Sequence, residues 1–434
     1  MFSDGAIRVN FLFNGGGFSN KGDEAMMLTV QHELARRFPQ ANFIVRASFR
    51  SRELASAHGL LVSNRPGGSV ARALRLGCAC LKDRDVRRAS RLDWVVGEAI
   101  AEVGNVDCVL DFSGFNYSDA WGVASAKRGL AWAEYCHARG KPFICLPQAW
   151  GPFHMAGVAE ATRRLCAYST LIYARDKVSR SYLTELLGPG ADNVRTAPDM
   201  AFLFAGETAC AGREFLKSLG VEPGRIPVVA ITPNLRVYER CPGVGVLNEY
   251  VQLLTKVARH CIDNWHANVV LIPHTFCMHE TPCDDDRFVC GLVEVGVSNP
   301  RRCFTVRRHI SAAMAKSIEG QVDLVIGSRF HSCVFALSSG VPAVALGWAH
   351  KYVELMALIG LESDALIHTE FSEARVMEML DAAWERRERS REIIEHHLEK
   401  IRADVASLFD SVASIVSGRG DWSPCPAMAA SLSE

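Results

Sequence analysis

Short apolar runs alternate with longer amphipathic stretches along most of the chain. In the first half, strand-like runs that each end in a polar, Gly- or Pro-bearing loop occur at 7–13, 43–47, 106–111 and 143–146. A helical pattern over 23–38 follows the first of them. Strands that alternate with helices of about ten to fifteen residues are typical of βαβ units and a parallel sheet. The first half is therefore predicted to form an α/β domain.

The same alternation returns in the second half, after an interruption rich in Gly, Pro and charge. Strand-like runs recur there at 228–232, 269–272, 322–326 and 343–346. The predicted organisation is an N-terminal Rossmann-like domain, a linker, a C-terminal Rossmann-like domain, a helical segment and a disordered tail, at 1–205, 206–226, 227–371, 372–417 and 418–434. Two α/β domains in series predict a ligand cleft between them, at the carboxyl ends of the strands.

The net charge of the chain limits the classes of ligand that we expect. The 434 residues include 48 Lys and Arg against 48 Asp and Glu, so the formal net charge is zero. A protein that binds nucleic acid through bulk phosphate attraction would carry a basic excess, and we expect no such partner. Within the first domain, however, a predicted helical insertion at 65–104 is locally basic. It is either a solvated helical face or a patch that meets an anionic acceptor or a lipid headgroup.

The N-terminal sequence reads as a first strand and not as a signal peptide. The fifteen cysteines have no paired spacing, which is typical of reduced thiols in a cytosolic protein. No apolar run has the length of a membrane span. We therefore expect a cytoplasmic protein, with contact at the inner face of the membrane left open by the basic insertion.

A glycine-rich turn lies between the first strand and its helix, with the sequence NGGGFSNKGD over residues 14–23. Glycines let backbone N–H groups approach a ligand, and the start of a helix favours an anion. Asn20, Gly22 and Asp23 are therefore candidate substrate contacts. The alternative is a tight turn in which Asp23 is a helix-start residue.

Two loops of the first domain carry polar groups suited to a sugar. The loop DFSGFNYSDAWG follows the strand that ends near Asp111, and Asp119 within it could accept a proton from an attacking hydroxyl. A helix cap is the alternative for Asp119. Gln148, in the loop PQAWGPF, is a candidate ligand contact or part of a rigid turn.

The segment IGSRFHS places Arg329 and His331 in the first turn of a helix that follows a buried strand. Arginine offers a planar fork for carboxylate or phosphate, and histidine exchanges protons near neutral pH. Cations are poorly placed at a helix N-terminus, which is easiest to understand if an anionic ligand is recruited there. Arg236 is either a second anion clamp or a surface arginine.

His274 and three residues near it raise the question of a metal. The spacing of His274, Cys277, His279 and Cys283 matches no standard zinc set, so no metal site is predicted. His274 is kept as a candidate substrate contact.

In their order along residues 8–360, these motifs resemble those of the polysaccharide pyruvyl transferase family. The points of similarity are NKGDEA, PQAWGPF, ARDKVS, PDMAF, SRFHS and SGVP followed by Lys351. The chain departs from the family pattern at 111–114, where DFSG stands in place of a glycine-rich loop, and that departure bears on the acceptor.

The resemblance implies two Rossmann-like domains arranged as in GT-B glycosyltransferases. It also implies transfer of the pyruvyl group of phosphoenolpyruvate onto a sugar of a glycan or lipid-linked precursor as a ketal, with release of phosphate and no cofactor. His331 and Asp119 match catalytic positions. The donor-binding positions are Arg329, Arg236, Ser328 and Ser332. The alternatives are a GT-B glycosyltransferase that uses a nucleotide sugar, or a non-catalytic binding member of the family.

Overall fold

The computed structural model describes residues 8–46, 51–62, 69–92, 96–97, 106–189, 191–277 and 284–418. The chain folds as two compact units. Unit 1 comprises Met1–Gly17, Val30–Met200 and Asp404–Glu434, and unit 2 comprises Phe18–Thr29 and Ala201–Ala403. Each unit contains one parallel sheet with helices, so the predicted α/β class with two parallel sheets is confirmed.

Unit 1 is built on a seven-stranded parallel sheet. Its strands are β1 Asn10–Asn14, β2 Asn42–Val45, β3 Leu61–Val62, β4 Cys108–Asp111, β5 Phe143–Gln148, β6 Leu171–Ala174 and β7 Val194–Thr196. They lie in the order β3-β2-β1-β4-β5-β6-β7. Every residue of β4 and β5 is buried, as expected for central parallel strands covered on both faces. The order reverses between β1 and β4.

The helices of unit 1 connect and cover these strands. They are α1 Lys21–Arg37, whose first turns belong to unit 2, and α2 Arg52–Ala57, α3 Ser69–Lys82, α4 Arg84–Leu92, α5 Gly122–Ala138, α6 Ala156–Tyr168 and α7 Lys177–Leu187. Buried Tyr117 and Trp150 stack with ring centroids 5.0 Å apart in the core.

Unit 2 repeats the architecture with six parallel strands. They are β8 Val228–Thr232, β9 Asn268–Leu271, β10 Cys303–Thr305, β11 Leu324–Gly327, β12 Ala343–Gly347 and β13 Ala365–Ile367. Their order is β10-β9-β8-β11-β12-β13, with the reversal between β8 and β11. The helices are α8 Ala209–Ser218, α9 Leu235–Tyr238, α10 Glu249–Asp263, α11 Arg287–Val297, α12 Ala312–Glu319, α13 Phe330–Ser338, α14 Lys351–Ile359, α15 Glu373–Glu385 and α16 Arg387–Val416, of which the part from Asp404 onward belongs to unit 1.

The two units divide the chain differently from the sequence-based domains. The segment 206–226, interpreted as a linker, contains α8, which packs so closely on α12 that a Cβ at Gly212 would lie 2.3 Å from the Ser317 carbonyl oxygen. The segment Phe18–Thr29 belongs to unit 2 because backbone hydrogen bonds hold it there, including Lys21 N to His274 O at 2.8 Å. Residues from Asp404 onward belong to unit 1.

Parts of two predicted segments lie outside the described residues. The insertion at 65–104 is described for α3, α4 and residues 96–97, and the tail is described only as far as 418. No described helix is long and apolar enough to cross a membrane. Twelve of the described cysteines are free thiols, whereas Cys277 is in a disulfide.

Candidate functional site

The loops after β8 and β11 meet where the strand order of unit 2 reverses, the usual place for a ligand in an open α/β sheet. Ser328 N donates to Thr232 O at 3.0 Å, and the Thr232 and Ser332 hydroxyls are 2.6 Å apart. The Ser328 carbonyl accepts hydrogen bonds from Asn234 Nδ2 at 2.7 Å and the Tyr352 hydroxyl at 2.8 Å. Both serines are buried, so in this structure they hold the turn that precedes α13.

Arg329 is anchored by two carboxylates at this turn. Its Nε donates to Asp286 Oδ2 at 2.8 Å, and its Nη2 donates to Asp286 Oδ1 at 2.5 Å and to Asp284 Oδ1 at 2.6 Å. Burial works against the charge of Arg329, but Asp286 and Asp284 outweigh it and hold the pKa of the guanidinium above its ordinary value. The remaining nitrogen, Nη1, has no hydrogen-bond acceptor among the described residues.

Asp286 holds several loops of the site together through hydrogen bonds. The sequence analysis did not identify it. Besides Arg329, its carboxylate accepts backbone N–H groups of Leu235 at 3.0 Å, His274 at 3.2 Å and Thr275 at 2.9 Å. Its side chain is fully buried, and burial raises its pKa while Arg329 opposes that rise. The one sequence signal was the run of three aspartates at 284–286 just before a helix.

Arg236 and Arg329 are brought together by Asp284. One Asp284 oxygen lies 2.6 Å from Arg329 Nη2, and the other lies 3.3 Å from Arg236 Nε. Arg236 also pairs with Glu239 at 2.8 Å and is about one-third exposed. The two arginines predicted to bind an anion therefore already share one, contributed by the chain itself.

His331 packs against the start of α1 at Gly22. A Cβ at Gly22 would lie 1.9 Å from His331 Nδ1, so no larger residue fits there while the ring keeps its position. Gly22 N donates to Asn20 Oδ1 at 2.8 Å, which makes Asn20 the cap of this helix start. The end of the glycine-rich turn at Gly22 and the Arg-x-His segment, far apart in sequence, thus meet within unit 2.

Asp23, next to Gly22, lies among positive groups. Burial raises the pKa of its carboxyl, whereas His331, Arg329 and Lys351 act to lower it. The Lys351 ammonium in turn lies 5.5 Å from the centroid of the Phe330 ring. Gly22, Asp23, Arg329 and His331 are therefore grouped, and Lys351 joins them.

Lys21 and Glu24 hold this segment in unit 2. Lys21 is fully buried, with its Nζ 2.7 Å from Glu24 Oε2, 2.9 Å from the Phe18 carbonyl and 3.2 Å from His309 Nε2. Glu24 Oε1 accepts the Ala312 N–H at 2.9 Å. Burial lowers the pKa of Lys21, and Glu24 opposes the shift. The sequence analysis named Lys21 and Glu24 only as parts of a motif and gave neither of them a role.

His274 points into the core of unit 2. Its Nε2 is 2.6 Å from Glu319 Oε1, and both side chains are buried. Burial raises the pKa of Glu319, and His274 opposes the rise. The substrate contact predicted for His274 stays a prediction. In the part of the chain that the structure describes, no group of three His, Cys, Asp or Glu side chains could hold a metal ion.

A buried carboxylate lies in unit 1 at the point where the strand order reverses. Asp111, at the end of β4, accepts hydrogen bonds from Asn14 Nδ2 at 2.8 Å and Gln148 Nε2 at 2.9 Å. Ser113 Oγ lies 3.3 Å from each Asp111 oxygen, and the Tyr117 hydroxyl also bonds to Asp111. Gln148 is thus buried behind Asp111. Burial raises the pKa of Asp111 to about 6, against the opposing effect of these uncharged donors.

Asp119 also lies in unit 1, at the N-terminus of α6. Its oxygens accept the backbone N–H groups of His154 at 2.7 Å and Met155 at 3.0 Å. It therefore holds the two residues that precede α6, which is not the helix that follows it directly in sequence. Its role as a base stays a prediction.

The family model described as polysaccharide pyruvyl transferase matches residues 20–350. The chain belongs to this family. The match contains the Asn20–Asp23 turn, Asp119, Gln148, Arg236 and the Arg329–His331 pair. A curated relative, the amylovoran biosynthesis protein AmsJ of Erwinia amylovora, is 23% identical over 256 residues. The aligned region covers 59% of this chain and about 60% of that relative.

Solved structures that contain UDP or UDP-GlcNAc share the fold of this pyruvyl transferase family member. Anabaena Alr3699/HepE in complex with UDP has a TM-score of 0.58 and 14% identity, covering 95% of this chain and 100% of that chain. The UDP-GlcNAc 2-epimerase of Neisseria meningitidis bound to UDP-GlcNAc has a TM-score of 0.56 and 13% identity, covering 94% and 99%. At these identities, the likeness concerns the fold alone.

We expect the buried Asp111 to make the unfolding free energy of this family member depend on pH. Its folded pKa of about 6 lies above the ordinary 3.8, so the native state binds more protons than the unfolded state between these values. The unfolding free energy of the wild type should therefore fall, relative to Asp111→Asn, by up to about 3 kcal/mol as pH rises through this range. Urea unfolding at pH 5 and pH 7.5 covers the upper part of this range, where we expect a fall of about 1.4 kcal/mol. A pH-independent difference between the two proteins would contradict the prediction.

Proposed function

We propose that the protein transfers the pyruvyl group of phosphoenolpyruvate to a sugar of a glycan or glycan precursor, forming a ketal and releasing phosphate. The observation that carries the proposal is the grouping of His331, Arg329, Lys351 and Asp23 at the reversal of strand order in unit 2. It supports a small, highly charged anion as ligand, with a protonatable ring beside it. Family membership supports the pyruvyl group as the part transferred.

In this proposal, the arginines bind the donor. Asp286 holds two nitrogens of Arg329, which leaves Nη1 for a carboxylate or phosphate oxygen. Arg236, through its link to Asp284, provides a second cation in the same region. Charge-assisted bonds of this kind are strong and directional. A preorganised clamp also stabilises the negative charge that the departing phosphate carries.

His331 is the proposed general acid. Protonation of the methylene carbon of phosphoenolpyruvate makes C2 electrophilic, and a sugar hydroxyl then attacks C2. A second hydroxyl displaces phosphate and closes the ketal. The two hydroxyl protons balance the one gained by the methylene carbon and the one carried away with phosphate. Unit 1 is the proposed acceptor side, and Asp119 is the family-position candidate for accepting a hydroxyl proton.

Phosphate release tests the function directly. The full chain is incubated with phosphoenolpyruvate and a panel of 4-nitrophenyl hexosides, and inorganic phosphate is measured for the wild type and His331→Ala. We expect wild-type release that depends on the sugar, and loss of at least about a hundredfold in the variant, the size of a general-acid contribution. Near-wild-type turnover by the variant would exclude the role of His331.

The rival donor is a nucleotide sugar, since the solved structures that share the fold contain UDP or UDP sugars. Thermal unfolding separates the two donors. A ligand at a hundredfold excess over its dissociation constant stabilises the folded state by about 2.7 kcal/mol. We expect phosphoenolpyruvate to raise the melting temperature and UDP-glucose to leave it unchanged; the reverse would favour a glycosyltransferase. Stabilisation by phosphoenolpyruvate without phosphate release from any acceptor would favour a non-catalytic binding member.

Asp284 is expected to compete with the donor. Its carboxylate lies between Arg236 and Arg329, where an anionic ligand would bind. Asp284→Asn removes the competing charge and should lower KM for phosphoenolpyruvate by roughly fivefold with little change in kcat, an effect near 1 kcal/mol for partly exposed ion pairs. Steady-state kinetics measure this. A raised KM would mean that Asp284 positions the arginines. The control is Asp263→Asn, at an exposed position of α10.

A peripheral contact with an anionic membrane is a further part of the proposal. Helix α4 exposes Arg84, Arg87, Arg88 and Arg91, and the neighbouring Leu81 is 80% exposed. Basic side chains beside an apolar one suit an anionic lipid surface. Phosphatidylglycerol vesicles should co-sediment the wild type more than the double variant Arg84→Glu, Arg91→Glu. Arg301→Glu is the control and should sediment like the wild type. Equal sedimentation of the wild type and the double variant would exclude this surface as a membrane contact.

A further inference from the structure

A cavity of about 410 Å³ lies in unit 2 between the first turns of α10 and the loop that leads from β13 to α15. We name it the α10/α15 pocket. Its volume is in the range of small-molecule sites. The two helices are held side by side, because the rings of Trp265 and Trp384 stack with centroids 4.5 Å apart. In addition, His260 Nε2 lies 2.6 Å from Asp381 Oδ1. The walls of the pocket are therefore fixed before a ligand binds.

The α10/α15 pocket lies beside the turn that precedes α13 but does not include it. One of its walls is Tyr250, whose hydroxyl accepts the Asn234 N–H at 3.1 Å. Asn234 Nδ2 in turn donates to the Ser328 carbonyl, next to Arg329 in the chain. The described residues that line the pocket include neither Arg329 nor His331. A ligand in this pocket would thus be a neighbour of the proposed donor and not the donor itself.

Hydrogen-bond donors reach the pocket from Arg240. Its guanidinium lies 4.4 Å from the centroid of the Trp348 ring, and its Nη1 donates to the Arg236 carbonyl at 2.6 Å. No carboxylate of the described residues lies within ion-pair distance of Arg240. These contacts fix the orientation of the guanidinium and leave its Nε and Nη2 for a ligand.

Hydrogen-bond acceptors reach the same pocket from α10. Glu249 and Gln252 lie one turn apart on the exposed face of this helix, and both line the pocket. Neither side chain forms a hydrogen bond or an ion pair with another residue that the structure describes. The Gln252 amide offers donors as well as an acceptor.

His368 adds a group that can both donate and accept. Its Nδ1 is buried and has no hydrogen-bond partner within the described part of the chain. Burial, and to a smaller extent the charge of Arg240, lowers the pKa of the ring below its ordinary value. The imidazole is therefore neutral at pH 7.5, with one donor nitrogen and one acceptor nitrogen.

This mixture of groups decides the class of ligand. Each hydroxyl of a sugar both donates and accepts, so sugar hydroxyls can pair with Arg240 and with Glu249 at once. A phosphate or a carboxylate only accepts, and the carboxylate of Glu249 would repel it. The other two charged residues of the lining, Lys256 and Glu373, pair with each other. The charges around the pocket thus balance, which suits a neutral ligand.

We infer that the α10/α15 pocket binds a sugar unit of the glycan acceptor, other than the unit that receives the pyruvyl group. Phe371 and Leu253 supply an apolar wall for the C–H face of the sugar ring. The inference rests on the proposed function and deepens it, because it makes the acceptor a chain of more than one sugar. It also assigns part of acceptor recognition to unit 2.

The test uses the full chain and four disaccharides, namely lactose, cellobiose, maltose and N,N′-diacetylchitobiose, with binding measured by saturation-transfer NMR at pH 7.5. Glu249→Ala removes the unpaired acceptor, and Gln252→Trp fills the pocket from an exposed position. Glu385→Ala, at an exposed position of α15 outside the pocket, is the matched control. Melting temperatures show whether each variant is folded. Binding of inorganic phosphate to the same proteins is measured by phosphorus NMR.

We expect at least one disaccharide to bind the wild type and Glu385→Ala equally. Glu249→Ala should bind it about tenfold more weakly, the effect of losing one hydrogen bond to a charged group. Gln252→Trp should abolish the binding. The inference is overturned if none of the disaccharides binds the wild type, or if the pocket variants bind them as the control does. Binding of inorganic phosphate that is lost in Gln252→Trp would also overturn it, since the pocket would then be an anion site.

Phosphate release from phosphoenolpyruvate separates this inference from the proposed function. It is measured for the wild type with the same disaccharides as acceptors. Disaccharide binding that depends on Glu249, without phosphate release, would refute the proposed function and leave the sugar site in place. Phosphate release without any binding that depends on the pocket would refute the sugar site alone.

Discussion

Replacing Gly22 by alanine is expected to abolish phosphate release while the protein stays folded. The new Cβ would lie 1.9 Å from His331 Nδ1 and 2.3 Å from its Cγ, closer than any real Cβ contact. The ring has to rotate away, because α1 at this point is held by the hydrogen bonds of Lys21, Glu24 and Asn20. A general acid that is out of position no longer accelerates the chemical step, so kcat should fall by about 100- to 10,000-fold.

Steady-state phosphate release with phosphoenolpyruvate and thermal unfolding together check this prediction. Gly291→Ala is the matched control, since Gly291 lies within α11 of the same unit and no described atom comes within 4 Å of its Cβ position. Alanine is the better helix former by up to about 1 kcal/mol, so the control should be fully active and no less stable. Activity of Gly22→Ala equal to that of the control would show that the position of the His331 ring is not required.

Asp286→Asn is expected to lower the unfolding free energy of unit 2 by about 3–5 kcal/mol, the cost of breaking one side of a buried ion pair. The substitution leaves the Arg329 guanidinium buried without its main counter-charge. It also places an amide N–H among backbone N–H donors, those of Leu235, His274 and Thr275. Asparagine keeps only one of the two accepting oxygens, so part of the hydrogen bonding that these loops share is lost.

Urea unfolding followed by tryptophan fluorescence measures the loss. Asp263→Asn, at an exposed position of α10, should change stability by no more than about 0.5 kcal/mol. A small effect of Asp286→Asn, below about 1 kcal/mol, would mean that the ion pair contributes little beyond what a neutral hydrogen-bonded side chain supplies. Surviving folded protein should also bind phosphoenolpyruvate weakly, because Arg329 is no longer oriented.

The local sequence pattern was sufficient for the architecture. Apolar runs such as 228–232 and 324–327 are buried strands in the structure, and their polar loops lie at the carboxyl ends of parallel sheets. This works because a parallel strand buried on both faces needs a continuous apolar run, and because residues after such strands converge at one edge of the sheet. Arg329 and His331 could be selected as candidates from the sequence because their unfavourable position at a helix start is a local feature.

The partners of the site residues depended on the tertiary structure. Nothing in the sequence links Gly22 to His331, or Asp286 to the loops after β8, β9 and β11, because those contacts join segments distant along the chain. Likewise, only the structure shows that the Asp119 oxygens accept the backbone N–H groups of the two residues that precede α6. Asp111 reads as the end of a strand until the donors around it are seen. Sequence alone determined the two α/β units and the residue types of a candidate anion site. Only the tertiary structure decided which carboxylate faces which cation, since burial and distance set that pairing.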